Sequence, residues 1–126
     1  MYMANIKIYQ MRKRESLLKQ GGGNLLTKVK TLSEVVQLVQ DGQMLAVGGN
    51  ALHRTPATFC HELAKLGRKE LKGVGAAPGY AMDVLCASES ISEVYFGFFG
   101  FENEYGLAPG MRKGIQDGKI KAVEGS

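Results

Sequence analysis

The sequence is poor in the residues that build metal and disulfide sites. It has two cysteines and two histidines in 126 residues. Cys60 and Cys86 stand far apart, with no Cys-x-x-Cys and no His/Cys cluster, so neither a zinc site nor a disulfide framework is signalled. No run approaches the ~20 apolar residues of a membrane span. There is no Gly-x-x-x-x-Gly-Lys phosphate loop, no Gly-x-Ser-x-Gly elbow, and no dinucleotide Gly-x-Gly-x-x-Gly followed by an acid. Free thiols without a secretory leader point to the cytoplasm.

A single-sign charge field is also missing from most of the chain. The net charge is +4, but residues 1–25 carry Lys7, Arg12, Lys13, Arg14 and Lys19 against Glu15 alone, which leaves eleven basic and eleven acidic residues for 26–126. A neutral body does not support a basic groove for nucleic acid, and no membrane association is expected. The basic leader is open to reading as a nucleic-acid arm or an amphipathic targeting helix. A plainer explanation is translated upstream sequence. Gly21-Gly22-Gly23 lies shortly before Leu25-Leu26, at the spacing of a purine-rich ribosome-binding stretch and a start codon. On that reading 1–25 is a leader without a selected fold, disordered or belonging to a misplaced start, and the domain is 26–126.

From Thr31 onward the pattern is regular. Thr31-Leu32-Ser33-Glu34 is a capping box, and Leu32, Val35, Val36 and Val39 share a helical face, with Asp41-Gly42 expected to end the helix. Met44–Val47 reads as a strand. Thr55 is expected to cap the next helix with Pro56 at its first position, and Phe59, Leu63 and Leu66 form its stripe. Leu71–Ala76 reads as a second strand and Tyr80–Ala87 as a helix with Met82, Leu85 and Cys86 inward. Val94–Phe99 is a third strand, Phe101–Ala108 a loop, Pro109–Asp117 a helix and Lys119–Val123 a fourth strand. Alternating helices and strands with short turns predict an α/β domain, an open parallel sheet with helices on both faces.

In such sheets ligands bind beyond the carboxyl ends of the strands. Three loops fall there: Gly48–Thr55, Gly75–Gly79 and Gly100–Ala108. Gly48 and Gly49 lack a Cβ and let backbone N–H groups approach an oxyanion or phosphate; a bare Gly-Gly pair equally serves as a tight turn. The two roles differ in outcome. With a ligand on the amides, Gly49→Val costs activity more than stability; with a simple turn it costs stability. Arg54 suits a carboxylate or phosphate. His53 is a candidate general base without an identifiable carboxylate partner, His61 a plain surface residue, and Glu102 a weak acid/base candidate beside Glu104.

Asp41-Gly42, Leu45-Ala46-Val47, Gly48-Gly49-Asn50 and then Arg54-Thr55-Pro56 keep the spacing of a signature: Asp-Gly, two residues, three apolar residues, Gly-Gly-Phe, a short gap and Gly-x-Pro. In this and in Leu71–Ser88 and Arg112–Glu124, the chain resembles the first of the two subunits of the family I coenzyme A transferases, glutaconate-type branch, from about Thr27 to Glu124. Asn50 for Phe and Arg54 for Gly depart from the signature. The resemblance implies the open α/β fold shared with some sugar-phosphate isomerases. It also implies a substrate and coenzyme A surface at Gly48, Gly49, Asn50, His53, Arg54, Ala77, Pro78 and Gly79, with Gly48 and Gly49 as oxyanion donors. Coenzyme A thioester would be the substrate, and no cofactor or metal would be held permanently. The partners would be an acyl-CoA, a carboxylic acid and the family's second subunit, in a hetero-oligomer. The family's nucleophilic glutamate lies in that second subunit within Ser-Glu-Asn-Gly. The motif is absent here, so the chain is expected to supply half a site and to be inactive alone. First subunits of the family run about twice as far, so 26–126 is expected to be an N-terminal portion, apparently truncated. A ring hydrolase of coenzyme A thioesters on the same scaffold, a truncated remnant without catalysis and a small-ligand-binding module are the alternatives.

Overall fold

The structure is a computed structural model and describes residues 29–125; the leader expected over 1–25 lies outside the described residues. The elements are α1 (Leu32–Gln37), β1 (Met44–Ala46), α2 (Ala57–Lys65), β2 (Leu71–Gly75), α3 (Tyr80–Ala87), β3 (Ile91–Phe96), α4 (Glu102–Tyr105), α5 (Pro109–Gln116) and β4 (Lys121–Glu124). The strands form one parallel sheet in the order β1-β2-β3-β4.

Local chemistry explains most of the boundaries. The capping box at Thr31 forms: Glu34 N–H donates to Thr31 Oγ1 at 3.4 Å, and Thr31 N–H donates to Glu34 Oε2 at 2.7 Å. The helix stops at Gln37, ahead of Asp41-Gly42. Those two residues serve the next turn instead. Lys69 N–H donates to Asp41 Oδ1 at 2.9 Å, and Gly42 N–H donates to Lys69 O at 3.0 Å. Thr55 does not cap α2. Pro56 holds the cap position without a side-chain hydrogen bond, and the Thr55 methyl is turned onto Gly49, where an added Cβ would lie 2.6 Å from Cγ2. Strand β3 starts at Ile91, earlier than the apolar run suggests, because Ile91 and Val94 both face the core while Gly97 ends the ladder. Within the expected 101–108 loop, Glu102–Tyr105 forms one helical turn, with Gly106 N–H donating to Glu102 O at 3.0 Å.

Strand order decides the layering. Consecutive right-handed crossovers between neighbouring strands put every connecting helix on the same side. The helices accordingly pack in a row, α1 on α2, α2 on α3 and α3 on α5. Their inward residues Leu63, Met82 and Leu85 bury Leu45, Leu71 and Val94 of the sheet. Each fully buried Leu contributes about 2 kcal/mol by area. Of the two helix layers expected from the sequence, the described residues supply one. The register lines up Ala46, Val74, Tyr95 and Val123, and below them Met44, Lys72, Glu93 and Lys121, on the other face. Among the described residues no helix covers these rows, and their members are half-buried or exposed.

Candidate functional site

All three loops named from the sequence meet at the carboxyl edge of the sheet. The first leaves β1 through Val47, whose N–H donates to Val74 O at 3.1 Å. At Gly49 the chain takes φ +120°, and a Cβ would also sit 3.1 Å from the carbonyl oxygens of His53 and Arg54. Asn50 and His53 then exchange backbone hydrogen bonds of 2.9 and 2.7 Å, closing a tight loop. Ala51 and Arg54 have φ of 47° and 55°, left-handed conformations that non-glycine residues adopt at a cost of about 1–2 kcal/mol each. Such strain collects at functional loops.

The second loop is stitched to the first. Ala51 N–H donates to Ala77 O at 2.9 Å, and Tyr80 N–H donates to Ala51 O at 3.2 Å. A Cβ on Gly79 would lie 2.5 Å from Ala51 Cα, so only glycine lets the loops touch. The third joins through Gly100 N–H, which donates to Pro78 O at 3.3 Å. Pro78 and Gly79 are buried and Ala77 is half-buried, so among the candidates these three hold the loops together, while Gly48, Gly49, Asn50, His53 and Arg54 are exposed.

Two arrangements at this edge bear on chemistry. Among the described residues, the Gly48 and Gly49 N–H groups donate no hydrogen bond. The N-termini of α2 and α3, which open from the first two loops, have no side-chain cap. Helix α5 differs, because the Asp83 carboxylate receives Met111 N–H at 2.7 Å and Gly110 N–H at 3.2 Å. The exposed Gly48 and Gly49 donors are therefore left where an anion is favoured. The second arrangement is a side-chain contact between a histidine and a carboxylate. His53 Nε2 lies 2.9 Å from Glu102 Oε1, with the side chains 70% and 41% exposed. Glu102 itself has φ 69°. The sequence offers no partner for His53, since 49 residues separate the pair and only the folded loops bring them together. Arg54, beside His53, makes no side-chain ion pair or hydrogen bond among the described residues.

Sequence reasoning misses the rim. His61 Nε2 lies 2.9 Å from Tyr80 Oη, and Tyr80 in turn packs on Phe101 with centroids 6.3 Å apart. His61 is an exposed surface residue, as expected, that also meets Tyr80 at the start of α3. The signal is weak: Tyr80 and Phe101 each follow a glycine at a loop end. The thiols take no part. Cys60 is buried and its thiol pushed up to about 12 by desolvation, and Cys86 is raised by burial and then by Asp83. Neither supplies a thiolate at neutral pH. A cavity of about 440 Å³ lies at the opposite end, among Lys69, Glu89, Lys113 and Lys119. Its charges pair with one another, Lys119 with Glu89 and Lys113 with Asp117.

Residues 29–124 match the family model described as coenzyme A transferase. The chain belongs to the coenzyme A transferase family. Among solved structures, glutaconate coenzyme A-transferase from Acidaminococcus fermentans matches with a TM-score of 0.71 at 24% identity, over 79% of this chain and 32% of that one. A variant of the decarboxylase AibA/AibB matches with a TM-score of 0.70 at 22% identity, over 77% of this chain and 38% of the other. Both likenesses establish the fold, and this coenzyme A transferase chain spans less than two-fifths of the length of either. A comparison with curated proteins finds no match. Among the described residues no helix is long and apolar enough to cross a membrane, and no group of three or more His, Cys, Asp or Glu is placed to hold a metal ion.

Proposed function

We propose that this chain is the acyl-CoA- and acid-binding half of a coenzyme A transferase, completed by a glutamate from a second, different subunit. The observation that carries the reading is the pair of unpartnered amides at Gly48 and Gly49, set at the strand edge of a family member between two uncapped helix N-termini. A thioester carbonyl placed there would find donors ready for the charge that develops on its oxygen when a carboxylate attacks. The second subunit's carboxylate attacks the thioester carbonyl and expels the coenzyme A thiolate, giving an anhydride; the thiolate then attacks the glutamyl carbonyl and releases the first acid, so coenzyme A is carried as an enzyme thioester until a second acid takes it by the reverse steps. This chain's part is to hold the carbonyl oxygen at Gly48 and Gly49, to grip a carboxylate or phosphate with Arg54, and to orient the acid beside His53. The match to glutaconate coenzyme A-transferase supports an acid and an acyl-CoA as the substrate classes.

The test is reconstitution. The purified chain alone should move no coenzyme A between acids, and should do so once combined with a glutamate-bearing second subunit. Hydroxylamine should then trap the thioester on that partner. Turnover by the pure chain, abolished by Glu102→Gln, would overturn the half-site reading and move the chemistry into the third loop.

A further inference from the structure

The loop edge gathers donor groups: the His53 ring, the Arg54 guanidinium and the Gly48 and Gly49 amides. One carboxylate reaches into this set. Glu102 Oε1 lies 2.9 Å from His53 Nε2, whereas Glu104 and Asn103 on the same turn are exposed and make no side-chain contact with the glycine loop. We propose that His53 and Arg54 form a carboxylate-binding site for the acid substrate, and that Glu102 is its resident counter-ion, displaced when that acid binds. The proposal rests on the half-site reading and adds to it a substrate group, the residues that hold it and a competitor built into the chain.

Three features support displacement over a fixed structural pair. The pair is exposed on both sides, and exposed ion pairs are held by little, so an incoming carboxylate exchanges with Glu102 at small cost. Glu102, the residue that reaches His53, itself has a left-handed φ of 69°, a conformation of the kind that collects at functional loops. Finally, Arg54 is next to His53 in the chain and has no partner among the described residues, so its guanidinium is left for an anion that Glu102 does not serve. An acid with one carboxylate bridging His53 and Arg54 satisfies both. The loop stitching through Ala51, Ala77 and Pro78 does not involve Glu102's side chain, so the third loop can yield there without dismantling the other two.

The experiment is a titration of the full chain with butanoate at fixed ionic strength, followed by amide and imidazole NMR signals of Gly48, Gly49 and His53. Inorganic phosphate serves as the second probe. Removing the resident carboxylate with Glu102→Gln should tighten butanoate binding by about two- to fivefold, the range set by an exposed ion pair, and His53→Gln or Arg54→Gln should weaken it. Glu102→Asp, a shorter carboxylate, should fall between wild type and the Gln variant. Equal affinity in wild type and Glu102→Gln would overturn the counter-ion role while leaving the half-site reading intact. Binding of phosphate without butanoate would overturn the carboxylate assignment. Failure of both probes on every variant would overturn the anion-binding reading of the edge together with the inference.

Discussion

At the residue scale, glycine and aspartate at this edge have roles that composition alone hides. Gly49 is open to two of them from the sequence, a donor for a ligand or the pivot of a turn. Its φ of +120° and the 2.6 Å approach to Thr55 Cγ2 show that the turn needs it. Gly49→Val should therefore cost stability first, the outcome expected of a turn, and not mainly activity as expected of a ligand on the amides. A β-branched residue in that conformation, wedged on Thr55, should lower the melting temperature by at least ~5 °C, since each ~1 kcal/mol shifts a domain of this size by ~4–8 °C. A variant that melts with wild type would mean that the loop relaxes freely. Asp83 is the other case. Burial pushes its pKa above the ordinary 3.8, while the Met111 and Gly110 N–H groups pull the other way. A raised folded pKa means that the native chain holds this proton more tightly than the unfolded chain. Its contribution is fully present below pH 3.8 and is lost as pH rises through the folded pKa. Urea midpoints of wild type should thus fall, relative to Asp83→Asn, as pH rises from below that value. A wild-type midpoint that rises relative to Asp83→Asn with pH would show that the two hydrogen bonds, not burial, set the proton affinity.

At the element scale, the helix starts differ according to what faces them. Helix α1 is closed by its own sequence through Thr31 and Glu34. Helix α5 is closed from a distance by Asp83 of α3. Helices α2 and α3 start without a side-chain cap, and they are the two that open onto the glycine loop. A missing side-chain cap costs about 1 kcal/mol; at α3 the Ala51 carbonyl takes the Tyr80 N–H in its place. The local signal Thr-Pro points to a capped α2 and fails because Thr55 packs on Gly49 instead of turning back to the helix. That is a tertiary contact overriding a local preference. Boundaries read from periodicity are clearest where burial is one-sided: Tyr80–Ala87 is legible in full because Met82, Leu85 and Cys86 all point into the same core.

At the scale of the molecule, the sheet is dressed on one side. Ala46, Val74, Tyr95 and Val123 run across the other face in register, with Tyr95 Oη donating to Glu93 Oε2 at 2.6 Å and Lys72 paired to Glu93 at 3.3 Å. An apolar row above a charged row is adhesive without being fully buried. Val74→Lys should leave thermal stability within about 1 kcal/mol, as for surface strand positions, and should reduce self-association measured by light scattering. A much larger loss of stability would show that the face is covered in the intact protein. The strand order never reverses among the described residues, so the loop-bearing edge here is made by stitched loops and not by a crevice between diverging strands.

By itself the sequence determined the alternation of elements, the parallel sheet, the edge where the three loops gather and the glycine loop among them. These follow from local physics: apolar periodicity, a capping box, and residues without a Cβ where strands end. Only the tertiary structure decided that His53 meets Glu102, that Asp83 caps α5, and that one helix layer covers the sheet. Each joins groups 27 or more residues apart or depends on strand order. The pairing of distant side chains follows from how loops are held against one another, which no local pattern encodes.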